Sequence, residues 1–426
     1  MPNNTNKIQI VKEPFVRLAK RDNAGILFRT LIRFLAVAVS FLFILIFLSG
    51  VSGFSFSELV KYLNLGSFET NLTVSSWIKD SMLLLGISVA LAPVFKMKFW
   101  NIGAQGQVLM GALATATIMI KIGDQLNNTL LIIIMFFAAL FIGGFWSVIT
   151  AVFKVKINAN ETLFTLMMNY IAIQFVAASC DIWQGNNPGM TINMLSKKGY
   201  LPELFGNTYG FVYITVAIIA LLMYIYMKHT KHGYEISVVG ESLNTAKYAG
   251  INTGKVYLRT VFLSGAICGI MGFLYVAGVD HNIAVSTSGG YGFTAIIVAW
   301  TAKFNPFVMA IISFIIVYLQ NGSGSIINYA KNMNSFAAYI IVGIFLFFLI
   351  GCEFFINYRL VFNSKIQAFN KACKNRCIKK FPKTIKFFSL VNSTTKLFYE
   401  KVTKIPSRIK NRFIKKSNSH VEEESK

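Results

Sequence analysis

Few of the 426 residues are of a type and spacing that could do acid–base, metal or nucleophilic chemistry. The string Ala249-Gly250-Ile251-Asn252-Thr253-Gly254-Lys255-Val256 approaches the Gly-x4-Gly-Lys-Ser/Thr loop that cradles phosphate. It has Ala249 at the first glycine position and Val256 where a magnesium-binding hydroxyl belongs, so it is rejected. His229 and His232 lie three apart with no carboxylate or cysteine in reach, which suits solvated imidazoles better than a metal centre. Asp181, Asp280 and His281 read as lone residues on connections. Cys373 and Cys377 have no second pair to complete a zinc set, and the five scattered cysteines form no disulfide framework. No catalytic pair, resident metal or cofactor motif emerges, so an enzyme is not expected.

The polar residues that do stand out are amides and small residues inside apolar runs. Asn101, Gln105 and Gln107 lie in Phe99-Trp100-Asn101-Ile102-Gly103-Ala104-Gln105-Gly106-Gln107. Asn101 and Gln105 are four apart and would share one helix face, with Gln107 elsewhere on the wheel. Asn169-Tyr170 sit midway along another run, and Gly289-Gly290-Tyr291-Gly292-Phe293-Thr294 leads into a third. An amide in hydrocarbon must find a partner. Two readings stand evenly. One is interhelical hydrogen bonds that fasten a bundle, worth roughly 0.6 kcal/mol or a little more each. The other is a polar cavity wall of donors and acceptors, suited to a hydroxylated or heterocyclic solute.

The elements that must position these groups are membrane spans. The chain is 55% apolar and only 14% charged, against roughly a quarter charged in soluble domains. Uncharged stretches at 34–54, 82–95, 99–120, 129–153, 162–179, 209–227, 260–279, 292–302, 306–320 and 335–352 predict an all-α bundle of about ten spans. Two of them, 82–95 and 292–302, are short and lie beside Pro93 and Pro306. They read either as buried complete helices or as half-spans. The formal charge is +24, and with both termini inside, nearly all of it falls on one face. None of the ten stretches contains Asp, Glu, Lys, Arg or His. A mid-bilayer charge costs at least about 2.5 kcal/mol, so the absence speaks against a proton relay and for an uncharged polar solute. Sodium coupling through carbonyls and hydroxyls stays open. An alternative reading is therefore a self-sufficient ion-coupled carrier for a neutral solute.

Three regions frame the spans: a basic cytoplasmic segment 1–33, the membrane domain 34–355, and a basic cytoplasmic tail 359–426. The tail carries 18 Lys/Arg among aromatic residues such as Phe387 and Phe388. Attraction to anionic lipid or plain solvation fits it better than nucleic acid. The inner loop 228–259 holds a helix-compatible stretch 241–249 after Gly240, with Gly250 as its stop. Leu243, Ala246 and Ala249 recur every third residue as a small apolar ridge. The loop either folds under the bundle or docks as a knob in a partner's groove, and the second reading is preferred.

Five strings in order resemble permease subunits of ABC importers, in the branch serving simple sugars and nucleosides. They are Phe99–Gln107, Asn160-Glu161-Thr162-Leu163-Phe164-Thr165-Leu166-Met167-Met168-Asn169-Tyr170-Ile171, Gly240–Ile251, Ser264–Gly272 and Gly292–Ala299. The Asn-Ile-Gly-x-x-Gly-Gln form is most similar to the longer of the two permeases in nucleoside importers. The resemblance implies a multi-pass protein of the bacterial plasma membrane that passes a nucleoside or simple sugar. It implies an ABC ATPase subunit, a second and non-identical permease subunit, an extracellular solute-binding protein and membrane lipids as partners, with no nucleic acid and no cofactor on this chain. It implies a substrate pathway along Asn101, Gln105, Gln107, Asn169 and Thr294, and ATPase coupling through Glu241, Leu243, Ala246, Ala249 and Gly250. Gln105 stands where the family's pattern has Glu, which removes an ionisable group from that pathway.

Overall fold

A computed structural model describes residues 16–21, 25–184, 191–192, 198–204, 206–330 and 336–362. The expectations for most of the basic tail, with Cys373 and Cys377, lie outside the described residues. The chain divides into two units, residues 25–355 and the two ends together. In the second of these, strand β1 (Val16–Lys20) pairs antiparallel with β4 (Tyr358–Phe362).

The larger unit is helical: α1 (Ile26–Ser52), α2 (Phe56–Phe68), α3 (Asn71–Lys96), α4 (Ala104–Ile122), α5 (Asn128–Ile157), α6 (Glu161–Gln184), α7 (Gly210–His229), α8 (Lys231–Glu241), α9 (Leu243–Tyr248), α10 (Thr253–Tyr275), α11 (Tyr291–Thr301), α12 (Pro306–Tyr329) and α13 (Phe336–Asn357). A π turn, Val276–Asp280, extends α10. One further short antiparallel pair, β2 (Thr191–Ile192) with β3 (Ile283–Ala284), adds a little sheet to the expected all-α architecture. Helices dominate because backbone N–H and C=O groups in hydrocarbon must bond within their own segment.

Eight of these helices are long and apolar enough to cross a membrane. Helix α4 falls short on hydropathy because it opens with Gln105 and Gln107, yet its 19 residues reach about 28 Å. Short connections join it to α3 and α5, so it runs back across between them. Helix α3 settles one open question: the stretch 82–95 is the inner part of a 26-residue helix of about 39 Å. Pro93 does not break it, because the lost N–H falls one turn from the helix end, where Met97 N bonds Pro93 O at 3.1 Å. The longer span also changes its chemistry. Lys79 and Asp80 lie within α3, mostly buried and paired at 3.3 Å, so the crossing helices are not free of charge. Asp181 likewise belongs to α6 rather than to a loop.

Helix α11 has 11 residues, about 16 Å, half a bilayer core. Glu353 near the end of α13 binds Arg33 near the start of α1 at 2.7 Å and Lys303, in the α11–α12 turn, at 2.6 Å. These three points therefore share one face, as ten crossings require. Trp100 stacks on Trp300, with ring centres 5.1 Å apart, and adds the α3–α4 connection to that face. This face gathers the basic connections that the positive-inside rule favours on a cytoplasmic side.

Helix α10 is the most buried of the eight long spans. A side chain on Gly269 would overlap the carbonyl of Ala139 in α5, and one on Gly272 would overlap that of Val108 in α4. Gly111 and Gly143 meet the Gly265–Gly269 segment with the same closeness. Small residues let these backbones touch where lipid supplies no hydrophobic drive for association. Gly269→Val should therefore cost about 3 kcal/mol or leave no recoverable folded protein. Gly343→Ala, where nothing lies within 4 Å, should leave the thermal unfolding temperature in detergent unchanged.

Candidate functional site

The first polar group lies where α3 turns into α4. Lys98 takes a positive φ of 60°, which reverses the chain, and α4 begins only at Ala104. Asn101 is thus outside the helix and does not share a face with Gln105. Its Oδ1 accepts the Gly103 N–H at 2.9 Å, and its side chain meets Gln107 in a reciprocal amide pair at 3.3 and 3.4 Å. The reason is local: the first-turn N–H groups of a helix have no partners of their own and must be supplied with acceptors.

Helix α6 supplies the rest. Asn169 Oδ1 accepts the Gly106 N–H at 2.7 Å, and its Nδ2 donates to Ile102 O at 2.7 Å. Thr165 Oγ1 accepts the Ile102 N–H at 3.1 Å and donates to Glu161 O at 2.8 Å. Asn101, Gln107 and Asn169 are all buried and engaged in fastening 101–107 to itself and to α6. Tyr170, beside Asn169, is exposed on the outside of the helix.

Gln105 is different. Its Oε1 is buried with no hydrogen-bond partner among the described residues. Its backbone lies against Gly292 of α11, where any side chain would collide with Gln105 Cβ at 2.7 Å. Thr294, half-buried, follows within the same first turns of α11. The structure thus brings Gln105 and the Gly292–Thr294 turn together, with the Trp100–Trp300 stack beyond them and Phe95 against both indoles. Trp300 was missed by sequence reasoning, since a lone tryptophan near a span end is also an ordinary interfacial residue.

The second group is the basic loop 228–259. It forms two helices rather than the single stretch 241–249. Thr230 caps α8 through the Gly233 N–H at 3.2 Å, and Ser242 caps α9 through the Thr245 N–H at 3.3 Å. Gly240 does not start a helix. It lies inside α8, where its lack of a side chain admits the carbonyl of Lys96. Gly250 does end α9, with φ of 74°. Ile236, Val239 and Ala246 pack with Val94, Met97, Phe99, Ala151, Val256 and Val261 in a cluster of their own. Glu235 binds Arg259 at 2.9 Å, which ties α8 to α10, and Lys154 binds Glu161 at 2.7 Å, which ties α5 to α6.

This packing splits the expected ridge. Ala246 is 0% exposed and faces the bundle, whereas Leu243 is 46% exposed and Ala249, Glu241 and Gly250 are also at the surface. Tyr248 is 94% exposed. It escaped notice because it falls off the every-third pattern of Leu243, Ala246 and Ala249.

Asn169 and Gln105 predict opposite responses to mutation. Asn169→Ala strands the Gly106 N–H and the Ile102 carbonyl, and should cost about 2–4 kcal/mol in thermal unfolding. Gln105→Leu strands nothing and should leave stability unchanged.

Residues 73–350 match the family described as branched-chain amino acid transport system / permease component, well over half of the chain. The chain is 30% identical over 295 residues to the glucose ABC transporter permease protein TsgB13 of Haloferax volcanii, covering 66% of this chain and 76% of that one. It is 28% identical to the guanosine ABC transporter permease protein NupP of Bacillus subtilis, covering 58% and 73%. Against the nucleoside ABC transporter permease protein NupB of Lactococcus lactis it is 26% identical, covering 58% and 70%. No solved structure matches. This membership sets aside the self-sufficient ion-coupled carrier. The chain belongs to the branched-chain amino acid transport system permease family, and is a multi-pass membrane permease subunit of an ABC transporter.

Proposed function

We propose that this subunit imports a nucleoside or simple sugar across a bacterial plasma membrane, driven by a separate ATPase that grips α9. The observation that carries this reading is the split exposure of the loop: Ala246 roots α9 in the bundle while Leu243 and Tyr248 stand out at the surface. A six-residue helix capped at its start and stopped by Gly250 is rigid enough to transmit a push. Its exposed aromatic and aliphatic side chains suit a groove on a partner, as anchors of buried interfaces usually do. Glu241, Ala249 and Gly250 would form the rim of that contact.

A second, non-identical permease chain and an extracellular solute-binding protein complete the proposed assembly. Within this chain, Gln105 and Thr294 are the proposed pathway groups. Gln105 offers an unengaged amide oxygen, and Thr294 a half-buried hydroxyl. Asn101, Gln107 and Asn169 would shape that pathway by holding the α4 start in place.

ATP-driven uptake into vesicles carrying the full assembly tests the reading. A hydrolysis-dead ATPase should abolish accumulation; equal uptake with it would refute an ATP-driven importer. Leu243→Asp should cut uptake at least about tenfold while the thermal unfolding of the chain stays put, since the site is exposed. Ala246→Asp places a charge inside the cluster with Val94 and Ile236, and should destabilise the fold itself by about 3 kcal/mol or more.

A further inference from the structure

A cavity of about 360 Å³ opens among α3, α10, α11, α12 and α13. Its wall includes Lys79, Asp80, Tyr275, Asp280, Tyr291 and Gln320. All five helices belong to this one chain. The volume is at the lower end of the roughly 300–1,000 Å³ usual for small-molecule sites.

Two groups in its wall lack partners among the described residues. Tyr275 is 5% exposed and its hydroxyl makes no hydrogen bond; the Oε1 of Gln320 is buried and makes none either. A buried polar group left unpaired is costly, and a native fold rarely carries two facing one space without something to fill them. Gln105, whose amide oxygen is also unpaired, is not in this wall.

The charges narrow the ligand class. Lys79 pairs with Asp80 at 3.3 Å, so that couple is neutral overall, and Asp280 is exposed at the rim. A bare metal ion needs several converging oxygens without a cation among them, and here the Lys79 ammonium lines the same wall. The remaining capacity is weighted towards acceptors: the carboxylates, the Gln320 oxygen and the tyrosine oxygens. Tyr275 and Tyr291 add flat apolar surface beside those acceptors, the mixture that holds a ring edged with hydroxyl groups.

We propose that this cavity is a solute site within a single permease chain, taking a small uncharged molecule rich in hydroxyl or N–H donors. The inference rests on the importer reading and deepens it, by placing a binding step inside one chain on the outer side of Gln105. Tyr275 and Gln320 bind the solute directly. The Lys79–Asp80 pair presents a dipole to it.

The test is equilibrium binding of radiolabelled D-ribose, D-glucose and guanosine to the purified full-length chain in nanodiscs, with no ATPase present. At least one probe should bind saturably. Tyr275→Phe and Gln320→Leu should each weaken it by about tenfold with thermal unfolding unchanged. Ala338→Phe, which fills the cavity from its wall, should abolish binding. Unchanged affinity in all three variants overturns the proposal, as does binding of none of the three probes, or competition by sodium chloride and not by unlabelled solute. ATP-driven uptake by the whole assembly is read in parallel. Uptake that needs ATP but ignores all three variants removes the cavity and leaves the importer; saturable, variant-sensitive binding with ATP-independent uptake does the reverse.

Discussion

The structure depends on the backbone contact of α10 with α4 and α5. Gly269 and Gly272 on one side meet Val108, Gly111, Ala139 and Gly143 on the other with no side chain between them, and Gly265 meets Gly143 beside the Ser147 side chain. Inside a membrane, helices gain little from hiding apolar surface, because the surrounding lipid is as apolar as they are. Close approach replaces that drive with dense van der Waals contact. With α10 held this way, both of its ends are placed. Its N-terminal end carries Arg259 to Glu235 under the α8–α9 loop. Its outer end carries Tyr275 to the polar cavity.

The basic face is consolidated by different means. Three basic connections and two helix ends are drawn together by ion pairs, Glu353 with Arg33 and Lys303, Glu161 with Lys154, and Glu235 with Arg259. Half-buried pairs of this kind add modest stability but fix register. They also fix the parity of the chain, since Arg33, Lys303 and Glu353 can meet only if an even number of crossings separates each from the next. The α8–α9 loop is locked into the same face through Gly240 against the Lys96 carbonyl and through Ala246. A displacement of α9 must therefore move α3 and α10 with it or break those contacts.

Part of this was legible in the residues. The ten apolar stretches correspond to ten helices, and the strings that carried the family resemblance, 99–107, 160–171, 240–251, 264–272 and 292–299, lie at the turns and close contacts that organise the bundle. Gly250 reads correctly as a helix stop because a left-handed residue there has few alternatives. The span 82–95 was read too short for a plain reason: charge ends an apolar run on paper, but Lys79 and Asp80 neutralise one another and stay inside the helix. Asn101 and Gln105 were paired by helical spacing, although the helix starts three residues after Asn101. Leu243, Ala246 and Ala249 share a spacing but not an environment, because the burial of α9 is set by α3, α5 and α10.

The amino-acid sequence by itself determined that this protein crosses a membrane many times, which end faces the basic side, and which family it belongs to. Those properties follow from apolar length, charge asymmetry and short ordered motifs, all of them local in the chain. Only the tertiary structure decided which polar groups are occupied and which are free. Asn101, Gln107 and Asn169 are satisfied by partners across 6 and 63 residues of sequence. Tyr275 and Gln320, by contrast, face a common space from separate helices. A hydrogen bond is a relation between two positions in space, and spacing along one helix carries no information about what a second helix brings to meet it.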